Sequence, residues 1–220
     1  MIVVIDGPAG SGKSSTARAV ANRLGIEYLD SGALYRALAV VYLETGENLR
    51  AFFELLKTLT VSFRYEDKTF HVFVNGRDVT EQLRTEEVAN VVSLIASKPE
   101  VRTFINDLMR KAVKRGQYIA EGRDLGTAVF PEAELKFYMS ADVDERARRR
   151  FEQLKEQEPD ITLEEVRSNI IRRDQKDSRR KSDPLRKAGD AIEIDTTDTT
   201  FEQQVNKICS MISEATETKH

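Results

Sequence analysis

The sequence predicts an α/β fold, a five-stranded parallel sheet flanked by helices on both faces, with a small β-containing insert and a helical lid. Three observations predict it. The chain opens on Met1-Ile2-Val3-Val4-Ile5-Asp6, an apolar, β-branched run short enough for a buried parallel strand. Similar runs recur along the chain, separated by segments of helical period. Between the first run and the first helix lies a glycine-rich loop, Gly7-Pro8-Ala9-Gly10-Ser11-Gly12-Lys13-Ser14.

The first helix is read over Ser15 to Leu24, where Ala17, Val20, Ala21 and Leu24 share a face and Gly25 stops it. Ile26 to Leu29 reads as a second strand, running into a turn whose Asp30 or Ser31 caps a helix over about Ala33 to Leu43. Phe52, Phe53, Leu55 and Leu56 continue the helical period. The period then changes: Val61 to Tyr65 alternates, Glu66-Asp67-Lys68 turns, and Phe70 to Val74 resumes before Asn75-Gly76. This antiparallel hairpin inside a helical region marks an inserted subdomain, taken as 57–92. Helices follow over Glu86 to Ala96 and from Pro99 to Lys114, the second opened by proline and closed by Gly116.

The third strand is Gln117 to Glu121, followed by Gly122-Arg123-Asp124-Leu125-Gly126, and the fourth is Leu135 to Met139. Asp142 to Lys155 and Leu163 to about Asp177 are charged helices, Ala191 to Ile194 is the fifth strand, and Phe201 to Ile212 is an amphipathic closing helix. In such a sheet ligands belong at the carboxyl ends of the strands. Those ends are Gly7 to Ser14, Asp30-Ser31, Gly122-Arg123-Asp124, Ser140-Ala141-Asp142 and Asp195-Thr196.

With 220 residues, 40% hydrophobic and 32% charged, the chain is expected to form one domain, 1–220, of a soluble globular protein. No apolar run approaches the roughly 20 residues of a membrane span, and no leader segment precedes the first strand. The lone Cys209 cannot form an internal disulfide, and its surroundings read as core packing, so the cytoplasm is the expected compartment. Only His71, in a strand pattern, and His220, at the terminus, are present, which argues against histidine catalysis and His/Cys zinc sites. A net charge of -3 argues against nucleic acid as a partner, and nothing demands more than a monomer.

The glycine loop fits G-x-x-x-x-G-K-[ST] between a strand and a helix, the setting in which it binds phosphates. Gly7 and Gly12 allow successive N–H groups to turn inward as a nest, backed by the helix dipole. Lys13 then reaches the β- and γ-phosphates, and the Ser14 hydroxyl holds Mg²⁺. These residues imply a nucleoside triphosphate as ligand.

From Arg167 to Lys187 nine basic residues face three acidic ones, either a solvated helix face or an arginine lid. Phosphoryl transfer is catalysed mainly by positioning and charge, and guanidinium forks match the oxygens in flight. Arg149 and Arg150, in a second basic cluster, are candidates to lie over the triphosphate or stack on its base. Arg123 and Asp124 sit where a second substrate belongs: the guanidinium can meet a phosphate, and the carboxylate can accept from an exocyclic amino group or merely cap a turn.

These motifs in this order resemble the bacterial cytidylate kinases, of the nucleoside monophosphate kinase family, over essentially the whole chain. The match is carried by Ile5 to Ser14, Leu29 to Arg36, Glu87-Val88-Ala89-Asn90 with Ser93, Pro99 to Arg102 and Gly122 to Thr127. It continues through Glu145-Arg146-Ala147, Arg149-Arg150, and Arg173-Asp174 through Arg180 to Pro184-Leu185. The resemblance implies a P-loop NTPase fold, with 57–92 as the monophosphate-binding insert and 145–187 as lid. It implies transfer of a phosphoryl group from ATP to CMP or dCMP, in pyrimidine metabolism, with Mg²⁺ required.

Gly7 through Ser15 with Arg149 and Arg150 would bind ATP, Lys13, Arg123, Arg173 and Arg180 being the catalytic set. Ser93, Arg102 and Asp124 would read the cytosine, whose amino donor suits a carboxylate and whose N3 and O2 suit a hydroxyl or guanidinium. Arg36, Arg123 and Arg180 would clamp the monophosphate, Arg173 and Asp177 would contact its ribose or the phosphates in transit, and Ser31 and Tyr35 would line the pocket. Family members commonly have Asp-Gly-Arg-Asp where this chain has Glu121-Gly122-Arg123-Asp124, which leaves a part for Glu121 in ordering Mg²⁺ or water open. Ser15 stands in place of a frequent threonine, a change expected to be neutral. The alternatives are another small P-loop kinase, acting on UMP, AMP, shikimate or a sugar acid, and a nucleotide-dependent switch or motor ATPase. The last class lacks its motifs here, since Asp174-Gln175-Lys176-Asp177 only superficially resembles a guanine reader.

Overall fold

The computed structural model describes residues 1–156 and 158–217; the terminal histidine, His220, lies outside the described residues. Five parallel strands form the central sheet: β1 (Ile2–Asp6), β2 (Glu27–Asp30), and three numbered below by their place in the chain. Between β2 and the third of these run α2 (Ser31–Glu44), α3 (Leu49–Leu56), β3 (Val61–Glu66), β4 (Thr69–Val74), β5 (Arg77–Asp78), α4 (Glu86–Ala96) and α5 (Pro99–Ala112). The sheet resumes with β6 (Tyr118–Gly122) and β7 (Leu135–Ser140), then α6 (Val143–Leu154), α7 (Leu163–Arg179), β8 (Ile192–Asp195) and α8 (Phe201–Glu217).

The spatial order is β2-β6-β1-β7-β8. β1 is therefore central, and its Val3, Val4 and Ile5 are fully buried between two neighbours, as an unbroken β-branched run requires. The order reverses beside β1, opening a crevice at the carboxyl ends of β1 and β6. Right-handed crossovers put α1 (Lys13–Leu24), which packs on α8, on one face and α2 with α5 on the other. Cys209 is buried on α8 as core, as its setting predicts.

Local chemistry accounts for the boundaries. Asp30 caps α2 by accepting from Ala33 N at 2.8 Å, and Asp142, Thr85 and Thr162 do the same for α6, α4 and α7. α7 carries a complete capping box, Thr162 with Glu165. The strands β3, β4 and β5 form a second, antiparallel sheet within the 57–92 stretch. Its two turns are made by Asp67-Lys68 and Asn75-Gly76, all four with positive φ, the type that matches strand twist. Phe70, Val72 and Val74 pack inward, and Tyr28 of β2 meets Tyr65 and Phe70 edge-on at 5.2 and 5.8 Å. The insert thus shares the main core. By contrast α6 and α7 enclose a small core of their own, Ala147, Val166 and Ile170, separate from it.

Candidate active site

The glycine loop leaves β1 at its carboxyl end and feeds α1. Gly7 has φ +150° and lies so close to β7 that a Cβ there would stand 2.0 Å from the Met139 carbonyl oxygen, which only glycine permits. Lys13 curls back over the loop, its Nζ donating to Pro8 O at 2.7 Å, and is 4% exposed. Ser11 is buried and donates to Pro8 O as well. Burial, then the neighbouring Arg123, lower Lys13 from its ordinary range to about 7.

The loop opens into a cavity of about 1010 Å³. Ala9, Gly10, Gly12, Lys13, Ser14 and Ser15 line it on the loop side, whereas Gly7, Pro8 and Ser11, expected to bind ATP, are not on its wall. Ser31, Tyr35, Arg36 and Ser93 line the opposite side, and Arg123, Asp124, Arg173, Asp177 and Arg180 the floor and roof. Arg149 and Arg150 complete the wall. Nearly every residue singled out in the sequence is therefore brought to one cavity. From the insert, α4 supplies the lining, whereas none of the cavity-lining residues comes from β3, β4 or β5.

Arg102 is the exception among the base readers. It is 2% exposed and stands behind Asp124 rather than on the cavity wall. Its Nη2 is paired with Asp124 Oδ2, its Nη1 donates to Ala96 O at 3.3 Å, and its guanidinium lies 5.6 Å from the Tyr35 ring centre. Arg180, expected to face a phosphate, instead donates to Asp124 Oδ1 at 2.7 Å. Burial raises the Asp124 carboxyl above the usual carboxylate range against the pull of these two guanidinium groups. Arg123 donates to Asp177 Oδ2 at 3.1 Å. Arg149 is anchored to the loop after β8, donating to Thr196 O at 2.5 Å and to Glu145 at 2.7 Å.

Among the cations that line the cavity, Arg36, Arg173 and Lys176 make no hydrogen bond or ion pair among the described residues. Arg173 is exposed to the open cavity, yet the protein around its head costs it hydration. This loss of hydration, then Arg123 and Arg36, lower it to about 10. Arg150 stands close enough to Arg36 to be repelled by it. Such a crowd of like charges is relieved by a polyanion.

Sequence reasoning missed two supports, Asp6 and Arg146, and left a third residue, Glu121, without a partner. Asp6, at the end of β1, is buried and accepts from Leu125 N at 2.9 Å and Gly126 N at 2.8 Å, fixing the turn that begins after Asp124. Burial outweighs those donors and raises its carboxyl to about 6. Arg146 donates to Ala9 O at 2.9 Å and to Asp174 Oδ2 at 2.5 Å, while Asp174 accepts from Ala9 N, so α6 and α7 grip the glycine loop. Glu121 lies on the cavity wall and accepts from Ser14 Oγ at 2.6 Å. The order of β6 beside β1 is the signal that would have paired it with the loop, since Glu121 is in register with Ile5.

The Ser14–Glu121 pair also bears on the metal. Glu121 is 5% exposed, and burial followed by Asp30 pushes its carboxyl up against the pull of Lys13, the Ser14 hydroxyl and Arg123. A hydroxyl and a carboxylate are hard oxygen donors, and Mg²⁺ is held by one or two protein ligands together with phosphates and water. The residues present fit that ion.

A family model described as cytidylate kinase matches residues 3–214. A cytidylate kinase of Carboxydothermus hydrogenoformans is 41% identical over 215 residues, covering 96% of this chain and 97% of the relative. One from Salinibacter ruber is 44% identical over 219 residues, covering 96% of each. Among solved structures, a gluconokinase from Sinorhizobium meliloti shares the fold, with a TM-score of 0.51 at 12% identity over 98% of this chain and 93% of that one.

Proposed function

The chain belongs to the cytidylate kinase family, and from that premise we propose that it transfers the γ-phosphoryl group of ATP to CMP or dCMP, with Mg²⁺, releasing ADP and CDP or dCDP. The observation that carries this reading is that the phosphate loop and the partnerless cations Arg36 and Arg173 open into one cavity, with Asp124 at its floor. The arrangement suits two polyanions meeting end to end.

In this reading the main-chain N–H groups from Gly10 to Ser14 and the Lys13 ammonium grip the donor phosphates, with the Ala9 N–H held by Asp174. Arg149 and Arg150 line the donor side. Arg36, Arg123 and Arg173 take the acceptor phosphate, whose ionised oxygen needs no general base to attack. Arg180 is two-faced: released from Asp124 it can swing to the phosphate, freeing a carboxylate oxygen for the amino group of cytosine. Asp124 then reads that amino group, backed by Arg102, while Ser93 and Tyr35 line the base pocket. Ser14 and Glu121 would hold Mg²⁺, which when bound supplies positive charge to the transferring phosphoryl group.

We read α6 and α7, within 145–187, as the lid. They are joined to the rest mainly by polar contacts, Arg146 to Ala9 and Asp177 to Arg123 among them, and their apolar core is their own. An element tied this way can move while staying folded. α4, at the end of 57–92, is the acceptor side of the insert. Both pockets are complete within one chain, which supports a monomer. No helix among the described residues is long and apolar enough to cross a membrane, and the substrates themselves point to the cytoplasm.

A coupled ADP-release assay with ATP, Mg²⁺ and a panel of CMP, dCMP, UMP, AMP and shikimate tests the reading. CMP and dCMP are expected to turn over fastest; UMP turning over far faster than CMP would overturn the assignment.

A further inference from the structure

Asp183 belongs to none of the roles above, yet it closes a ring of charges beneath the acceptor pocket. Its carboxylate accepts from Arg102 Nε at 2.7 Å, and its carbonyl oxygen accepts from Arg180 Nε at 2.7 Å. Those two arginines hold the two oxygens of Asp124. Asp183 thus touches, from the far side, both partners of the carboxylate that faces the cavity.

The segment bearing it is itself pinned. Arg180 ends α7, and Leu185, buried, donates its N–H to Asp177 O at 2.9 Å. Asp183 has φ +46°, a left-handed conformation that aspartate and asparagine tolerate better than most residues. The main chain is therefore shaped to aim one carboxylate and one carbonyl at two guanidinium groups. A guanidinium carries five N–H donors in a fixed plane. Holding Nε of Arg102 while Nη2 meets Asp124 leaves that plane no freedom to turn.

Resting on the cytidylate kinase reading, we infer that Asp183 is a positioning residue for the acceptor: it sets Arg102 and Arg180, and through them the Asp124 carboxylate, before the pyrimidine monophosphate arrives. A pocket fixed in advance loses less order on binding, so the effect belongs in acceptor affinity and selectivity rather than in ATP binding.

Two variants separate side chain from backbone. Asp183→Gly keeps the left-handed conformation and the carbonyl but removes the carboxylate. Asp183→Asn keeps an acceptor oxygen and the same conformational tolerance. The Gly variant is expected to raise the KM for CMP about tenfold and lower the CMP/UMP selectivity, the weight of a hydrogen bond to a charged group. Its KM for ATP should stay within about twofold, and the Asn variant should recover most of the loss. Independently of turnover, NMR of arginine side chains should show Arg102 Nε–H protected from exchange in the parent protein and unprotected in Asp183→Gly. Unchanged acceptor KM with unchanged Nε–H protection would overturn the inference, as would equal losses for ATP and CMP alongside a lowered Tm. Failure of the kinase reading shows separately, as a parent protein that prefers some other acceptor or none, and the exchange measurement still tests Asp183.

Discussion

The hydroxyl of Ser14 and the carboxylate of Glu121 meet at 2.6 Å, joining the first turn of α1 to the end of β6 across the mouth of the glycine loop. Neither residue has the other for a purely structural reason. The carboxylate is buried at a cost, with Asp30 near it, and that cost outweighs the pull of Lys13, Ser14 and Arg123 on it.

Glu121→Gln keeps the volume and an acceptor for Ser14 but removes the charge. The Mg²⁺ concentration for half-maximal turnover should rise about tenfold or more, as for other residues that support a metal site. The KM for CMP should change less, because the Glu121 side chain hydrogen-bonds Ser14 on the donor side, while the contact to Ser31 is made by its main-chain oxygen, which the substitution keeps. Glu121→Asp restores the charge at shorter reach and should fall between. A Mg²⁺ dependence unaltered in Glu121→Gln would leave Glu121 with only a structural part.

Lys13 has a proton signature. Burial and Arg123 bring it from 10.5 down to about 7 without nucleotide, whereas bound phosphates favour the charged form. At pH 8 ATP binding should therefore take up close to one proton, read by titration calorimetry in buffers of differing ionisation heat. Lys13→Met should abolish that uptake and lower turnover by orders of magnitude while the protein stays folded.

The sign for stability follows from the same depression. Between about 7 and 10.5 the unfolded chain binds more protons than the folded one, so nucleotide-free protein gains stability as pH rises through that window. Lys13→Met should melt higher than the parent at pH 6, with the gap closing towards pH 10. Proton uptake equal in both proteins would remove Lys13 from the phosphate site.

Much of this was legible because it is local. Val3 to Ile5 read as a buried strand, Asp30 announces a helix start, Pro99 another, and Asn75-Gly76 announces a turn. The pattern could not show Arg77–Asp78 as a strand, since two residues carry no period. Nor could it show the turn of wider helical pitch over Leu125–Val129, which depends on the Asp6 carboxylate from the far end of a parallel strand. The site residues were legible as types and places, not as pairs. Arg180 has the right chemistry for a phosphate and yet rests on Asp124, and Arg102 lies behind the wall. Which anion each guanidinium chooses is settled by tertiary neighbours such as Asp183, distant in sequence.

Gly7 tests how tightly the loop is bound to the sheet. A methyl group there would drive into the Met139 carbonyl, and the backbone angle is foreign to side chains. Gly7→Ala should lose well over the ~1–2 kcal/mol of a left-handed alanine and weaken ATP binding, whereas Gly25→Ala, with nothing within 4 Å, should lose only that smaller amount. Chemical denaturation and ATP titration of the two variants make the comparison. Equal losses would mean that the loop yields easily and does not depend on contact with β7.

Asp124→Asn separates base reading from scaffolding. The amide keeps one acceptor oxygen, so Arg102 or Arg180 retains a partner, but it places an NH₂ group where the second carboxylate oxygen was. Cytosine offers an amino donor at that edge and uracil a carbonyl acceptor. The variant should therefore lose kcat/KM for CMP and lose less, or gain, for UMP, shifting the ratio by about 1–3 kcal/mol, or roughly 5- to 160-fold. Stability should fall as well, because two buried guanidinium groups lose part of their counter-charge. That fall alone does not distinguish the roles, since a loosened pocket penalises both substrates alike. The ratio does: if CMP and UMP decline together, Asp124 serves only to hold its arginines, and the base is read elsewhere.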